Sequence, residues 1–195
     1  VYGWKWWWGW WKPGANTVAY LPFETDLLDH SSNNISFTNT NVTISNKTAY
    51  FNGSARLVNS NFKTYLDQKN FTVSVWVNSV SNKSDAGIVT SFSWSGWFNW
   101  WDLEQMDNSW YKYKAEILPG GQMYSANYSL NSWYLLTLVV GNGTVSYYVN
   151  STLIGTQSWT IGTLQNELHI WDNSNYSNYY FNGYMSNLII ESKQR

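Results

Sequence analysis

Cysteine is absent from the 195-residue chain, which excludes disulfides, thiolate metal sites and cysteine nucleophiles together. Charge is scarce: 12% of residues are charged, about half the usual quarter. The 11 basic and 12 acidic residues nearly cancel, to a net charge of −1. That balance offers no basic footprint for DNA or RNA and no polybasic membrane patch, so nucleic acid is not an expected partner. Long apolar runs are missing as well. The longest, such as Trp133 to Val140, are strand-sized and far below the roughly 18 residues of a membrane-crossing helix. No signal peptide is visible ahead of Val1, as expected of a processed N-terminus or of a trimmed chain.

What the chain does have is 44% apolar content with 15 Trp and 15 Tyr, enough to bury a core and more than a disordered segment carries. It also has many asparagines. Ten of the 24 Asn stand in the acceptor pattern Asn-x-Ser/Thr: Asn34, Asn41, Asn46, Asn52, Asn70, Asn82, Asn127, Asn142, Asn150 and Asn175. An excess of acceptors in a chain with few charges points to an extracellular glycoprotein whose sugars do the solubilising. Asn52 and Asn70 are the doubtful acceptors, because they adjoin apolar strand positions.

Patterned segments have period two, the signature of half-buried strands. From Asn70 to Asn78, Phe71, Val73, Val75 and Val77 share one face while Thr72, Ser74 and Trp76 share the other. Trp133 to Val140 is apolar on both faces and reads as a central, covered strand. Gly141-Asn142-Gly143 then turns it into Thr144 to Asn150, with Val145, Tyr147 and Val149 inward. Further strands are expected at Thr17 to Glu24, Thr48 to Phe51, Ala55 to Val58, Gly87 to Trp94, Phe98 to Gln105, Trp110 to Leu118, Glu167 to Trp171 and Tyr184 to Glu191, with one helical turn in Phe62 to Lys69. Short strands separated by turns predict an all-β, two-sheet sandwich or barrel.

The break at Lys12-Pro13-Gly14 divides a Trp-rich extension, residues 1–14, from a domain at 15–195. In an extended conformation Tyr2, Trp4, Trp6, Trp8 and Trp10 form one aromatic face, with Trp7 and Trp11 on the other. Such a face must be buried, against the chain's own sandwich, at a membrane interface or against the next copy of the chain; these seven residues are the expected subunit interface, donated head-to-tail as a strand.

From Thr17 onward the chain resembles the laminin-G-like members of the concanavalin A-like jelly rolls. The landmarks occur in the family's order: Val18 to Glu24 with the Asp29-x-Ser31 turn, Ala49 to Ser54, Phe71 to Val77, Asn131 to Trp133 with its hairpin to Asn150, and Tyr180 to Met185. The resemblance implies a two-sheet jelly roll. It leaves function open, because the fold hosts lectins, adhesion modules, glycosidases and scaffold domains. The family's calcium positions are hinted at only by Asp29 and Asp172, and two oxygen ligands do not make a calcium site.

The glucanase branch resembles the pattern Glu-x-Asp-x-Glu on one strand. Here Asp102 and Glu104 share a face, but Trp100 stands at the nucleophile position, so no retaining mechanism is available. They read as two solvated carboxylates. His30 and His169, far apart in sequence, suggest neither a metal site nor a catalytic triad. Trp94, Trp97, Trp100, Trp101 and Trp110 crowd two adjacent strands, and some of them could present flat faces to sugar rings. The reading that follows is a non-catalytic subunit of an extracellular or virion surface filament, without cofactor, whose partners are copies of itself. A glycan-binding adhesin acting on host-surface glycans is the alternative.

Overall fold

The computed structural model describes residues 13–66, 69–91, 100–106, 112–118, 120–159, 166–170 and 180–192. The described part is a sandwich of two antiparallel sheets. In chain order the strands are β1 (Thr17–Leu21), β2 (Thr38–Thr40), β3 (Thr43–Ser45), β4 (Thr48–Asn52), β5 (Arg56–Asn59), β6 (Phe71–Ser79), β7 (Ala86–Ser91) and β8 (Trp100–Met106). They continue with β9 (Lys112–Leu118), β10 (Gly121–Asn127), β11 (Trp133–Gly141), β12 (Thr144–Val149), β13 (Thr152–Ser158), β14 (Leu168–Ile170) and β15 (Asn182–Glu191). One 3-10 turn, Phe62–Thr64, stands where the helical turn was expected.

The larger sheet has eight strands in the order β13-β12-β11-β6-β15-β4-β3, with β1 also pairing β15; the smaller has seven, β10-β9-β8-β7-β14-β5-β2. The core lies between them. Phe71, Val73, Val75 and Val77 are fully buried on the inner face of β6, as the period-two pattern requires. Opposite them, Trp101 of β8 packs its ring 5.4 Å from that of Phe71. β11 departs from the expectation. It is central, between β12 and β6, with Leu136, Leu138 and Val140 buried, but its outer face is only partly buried: Trp133 is 39% exposed, and Leu135, Thr137 and Val139 are half-buried. Gly183 shows why the closing strand carries a glycine. A Cβ there would meet the Asn78 carbonyl oxygen and lie 2.6 Å from Phe181 Cζ, so only hydrogen fits.

Asp29 fastens the edge of β1. Its carboxylate accepts from the backbone N–H of Tyr20 (2.8 Å), Ser31 (2.9 Å) and Ile35 (2.8 Å) and from Ser31 Oγ (2.7 Å). His30 N–H donates to the Tyr20 carbonyl, and Asn33 Nδ2 donates to that of Val18, which Ser31 Oγ also approaches at 3.0 Å. The Asp-x-Ser turn is thus a clasp that satisfies a strand edge. Four donors occupy Asp29, and the calcium hint at this residue is met by hydrogen bonding; Asp172 lies outside the described residues.

Candidate functional site

Two features of the sheets carry chemistry. The first is on the outer face of the seven-stranded sheet. Asp102 and Glu104 alternate with the core residues Trp101 and Leu103 on β8, and Lys114 and Glu116 alternate with Tyr113, Ala115 and Ile117 on β9. The register sets Asp102 against Glu116 and Glu104 against Lys114, so the four side chains meet across the strand pair. Lys114 Nζ lies 2.6 Å from Glu104 Oε2, 2.5 Å from Glu116 Oε2 and 3.9 Å from Asp85 Oδ1. The expected pair of solvated carboxylates is overturned: Asp102 is 0% exposed and Glu104 1%.

Burial, then the neighbouring Glu104, pushes the Asp102 carboxyl well above the usual carboxylate range. Glu104 is raised by burial against the opposing pull of Lys114. Burial works against the Lys114 ammonium, yet Glu104, Asp102 and the hydrogen bonds to Glu104 and Glu116 keep its pKa above the ordinary value. With Asp102 and Glu104 buried beside one ammonium, burial and the neighbouring Glu104 favour the protonated form of Asp102. Carboxylate oxygens of Asp102, Glu104 and Glu116 lie within 4.8 Å of one another, close enough to share an ion. Lys114 already supplies the positive charge there. The histidines stand elsewhere: exposed His30 is 2.9 Å from Asp26, and buried His169 of β14 is 2.8 Å from Glu167.

The second feature is more open, although Thr72 and Ser74 at its bottom are buried. A groove of about 210 Å³ runs over the outer face of the eight-stranded sheet, lined by Thr72, Ser74 and Trp76 of β6, Leu135, Thr137 and Val139 of β11, and Asn187 and Ile189 of β15. These are the outward positions of strands whose inward positions form the core, so alternation alone places them. Ser74 and Thr137 join hydroxyls at 3.2 Å across the floor. Between Ser186 and Ile189 the register of β15 slips, and Asn187 at φ 49° takes up the bulge that brings its amide to the groove. The Asn187 amide accepts from Tyr20 Oη at 3.0 Å and donates to Ser186 Oγ. Farther along the sheet, the register aligns exposed Trp133 with Asn78, Tyr184 and Tyr50, and the last two rings lie 5.0 Å apart. The lining residues are uncharged: an indole, aliphatic side chains, hydroxyls and an amide.

Of the residues expected to bind glycans, Trp101 is a core residue, fully buried against Phe71, because it falls on the inward parity of β8. Trp94, Trp97 and Trp110, and the side chain of Trp100, lie outside the described residues, as do Tyr2, Trp4, Trp6, Trp7, Trp8, Trp10, Trp11 and Asn175. Trp76 was not singled out for this role. Its signal was present, an indole on the polar face of an otherwise regular amphipathic strand. Of the sequons, Asn34, Asn41, Asn46, Asn52, Asn127, Asn142 and Asn150 are exposed, whereas Asn70 and Asn82 are half-buried.

No curated protein sequence matches the chain. Solved structures do, at low identity. The type C botulinum neurotoxin, whose cell entry depends on interaction with two ganglioside molecules, aligns at 16% identity with a TM-score of 0.69, over 92% of this chain and 48% of that one. Domain 4 of an extracellular arabinanase from Geobacillus stearothermophilus, in complex with arabinotriose, aligns at 16% and 0.65, over 92% and 93%. A Trypanosoma rangeli sialidase aligns at 13% and 0.73, over 94% and 31%. The chain spans about half the length of the neurotoxin binding domains it matches. The laminin-G family model of the concanavalin A-like lectin/glucanases superfamily matches residues 51–195, and with the two-sheet architecture around it the chain belongs to that family.

Proposed function

We propose that the protein is a non-catalytic glycan-binding domain that works outside the cell and holds a neutral oligosaccharide in the groove floored by Trp76. The groove carries the reading: an indole and aliphatic side chains to meet the apolar faces of sugar rings, with hydroxyls and an amide to fix ring hydroxyls. Its lack of charge suits neutral sugars. The arabinotriose-bound domain, matched over nearly its full length, and the ganglioside-dependent neurotoxin support glycan binding more than a filament subunit. The filament reading depends on the Trp-rich segment, which is outside the described residues. Hydrolysis is not proposed, because the paired carboxylates of β8 are buried and Trp100 replaces the nucleophile.

The test is titration of neutral pentose and hexose oligosaccharides by calorimetry. Trp76→Ala is expected to weaken binding by about 2 kcal/mol, roughly 30-fold, and Thr137→Val by less, with little change in melting temperature. Undiminished binding by Trp76→Ala would move the site elsewhere, and turnover of any of these sugars would overturn the non-catalytic reading.

A further inference from the structure

Among the described residues, β10 pairs only with β9, β13 only with β12, β2 only with β5 and β3 only with β4. β1 likewise pairs only with β15, but the Asp29 clasp closes its edge; the four edge strands left open read Gly-Gln-Met-Tyr-Ser-Ala-Asn, Thr-Leu-Ile-Gly-Thr-Gln-Ser, Thr-Asn-Thr and Thr-Ile-Ser. None holds a charge or a proline. An edge strand left in this state is a template for pairing with another chain, and natural sheets blunt it with lysine, proline or a covering element. β13 is the most open case, seven residues long with Leu153 53% exposed.

Six of the seven exposed sequons sit at these edges; the seventh, Asn52, ends the interior strand β4. Asn127 is the last residue of β10, Asn150 occupies the turn that leads into β13, and Asn142 occupies the β11–β12 turn beside the other end of β13, where Thr144 pairs with Ser158. β10 and β13 themselves meet at that side of the sandwich, where Gln157 Nε2 donates to the Gln122 carbonyl at 3.3 Å. On the opposite side Asn41 lies at the crossover between β2 and β3, Asn46 in the β3–β4 turn and Asn34 four residues ahead of β2. Five of these six have positive φ, between 49° and 59°, as asparagine in turns and loops tolerates, and all six are exposed. Asn150 gives only its amide oxygen to an internal bond, accepting from Leu135 N–H, which leaves Nδ2 outside that bond. Asn70 contrasts with them. The hydroxyl of its sequon belongs to Thr72, which is 2% exposed.

We infer that Asn34, Asn41, Asn46, Asn127, Asn142 and Asn150 are N-glycosylation sites, and that their glycans guard the four edge strands in place of charge and proline. In the modification each Asn Nδ2 loses a proton and bonds to the anomeric carbon of an oligosaccharide, as that carbon's bond to a lipid-linked phosphate breaks. A glycan at a turn tip beside an edge denies a second chain the close approach that strand pairing needs, and it adds no charge. The inference is independent of the groove, which lies on a sheet face.

The test compares the 195-residue chain secreted from a eukaryotic host with the same chain made in bacterial cytoplasm. The secreted chain should exceed 22.7 kDa by one glycan per occupied site, with peptides bearing the six asparagines modified and those bearing Asn70 and Asn82 bare. In sedimentation it should remain monomeric, while the bare chain self-associates at least tenfold more strongly. Thr152→Lys with Thr156→Lys on β13, both exposed positions, should return the bare chain toward monomer, because edge lysines replace the lost guard. Bare asparagines in the secreted chain, or a bare chain that stays monomeric at equal concentration, would overturn the inference. Self-association that the two lysines leave unchanged would refute the role assigned to the edges.

Discussion

Lys114→Met isolates the energetics of the buried cluster. The substitution keeps most of the side-chain volume and removes the ammonium that lies 2.6 Å from Glu104 and 2.5 Å from Glu116. Glu104, 1% exposed, is then a buried carboxylate without its cation, and Glu116, being partly exposed, adds less. Breaking such a pair costs about 3–5 kcal/mol. For a domain of this size each kcal/mol shifts the melting temperature by roughly 2–4 °C, so a fall of about 6–20 °C at pH 7.5 is expected in circular-dichroism melts. The loss should depend on pH. Without Lys114 the folded-state pKa of Glu104 rises further above its unfolded value near 4.3. The native variant then binds more protons than the unfolded chain, and its stability increases as pH falls through the folded pKa toward that value. The gap from the parent should therefore narrow at pH 5, and Glu104→Gln in the Lys114→Met background should recover much of the loss. A loss under about 1 kcal/mol at pH 7.5, or one that does not change with pH, would refute the reasoning.

Asp102→Asn tests the other member of the cluster. The raised folded pKa of Asp102 contributes stability that is fully present below about pH 3.9 and is lost as pH rises through the folded value. The variant should therefore show a flatter stability profile above pH 4, at equal or higher stability at pH 8, and an unchanged slope would count against the assigned proton. Asp29→Ala strands three backbone donors at the β1 clasp and should cost about 3 kcal/mol, read by denaturant titration. Calcium chelation of the parent should leave its melting temperature unmoved, and a large drop would restore a metal to Asp29. Gly183→Ala drives a methyl into the Asn78 carbonyl and Phe181 and should cost more than about 4 kcal/mol or prevent folding; a folded variant with near-parental stability would show that β15 can shift.

The strands that bury one face were legible in the sequence because burial imposes alternation. Phe71 to Val77, the Gly141-Asn142-Gly143 hairpin and the closing strand at Gly183 all stand where their patterns put them. The four edge strands β2, β3, β10 and β13 were not foreseen. Their residues are mostly exposed or half-exposed, and the inward positions, Met123 and Ser125 of β10 and Ile154 of β13, are too few to make an alternating apolar pattern. Local sequence also fixed that Asp102 and Glu104 share a face. It did not determine what stands opposite. The β8–β9 register brought Lys114 and Glu116 to them, and tertiary burial turned two apparently solvated carboxylates into a buried cluster around an ammonium. Trp101 and Trp76 show the same division: each is one indole in a strand, and only the choice of which face meets the other sheet sends the first into the core and leaves the second on an open groove. The sequence by itself determined the periods, the turns and the family, since these are properties of neighbouring residues. Which edges stay open, which charges lose water and which aromatic side chain can touch a ligand were decided by the packing of two sheets, because those properties depend on residues far apart in the chain.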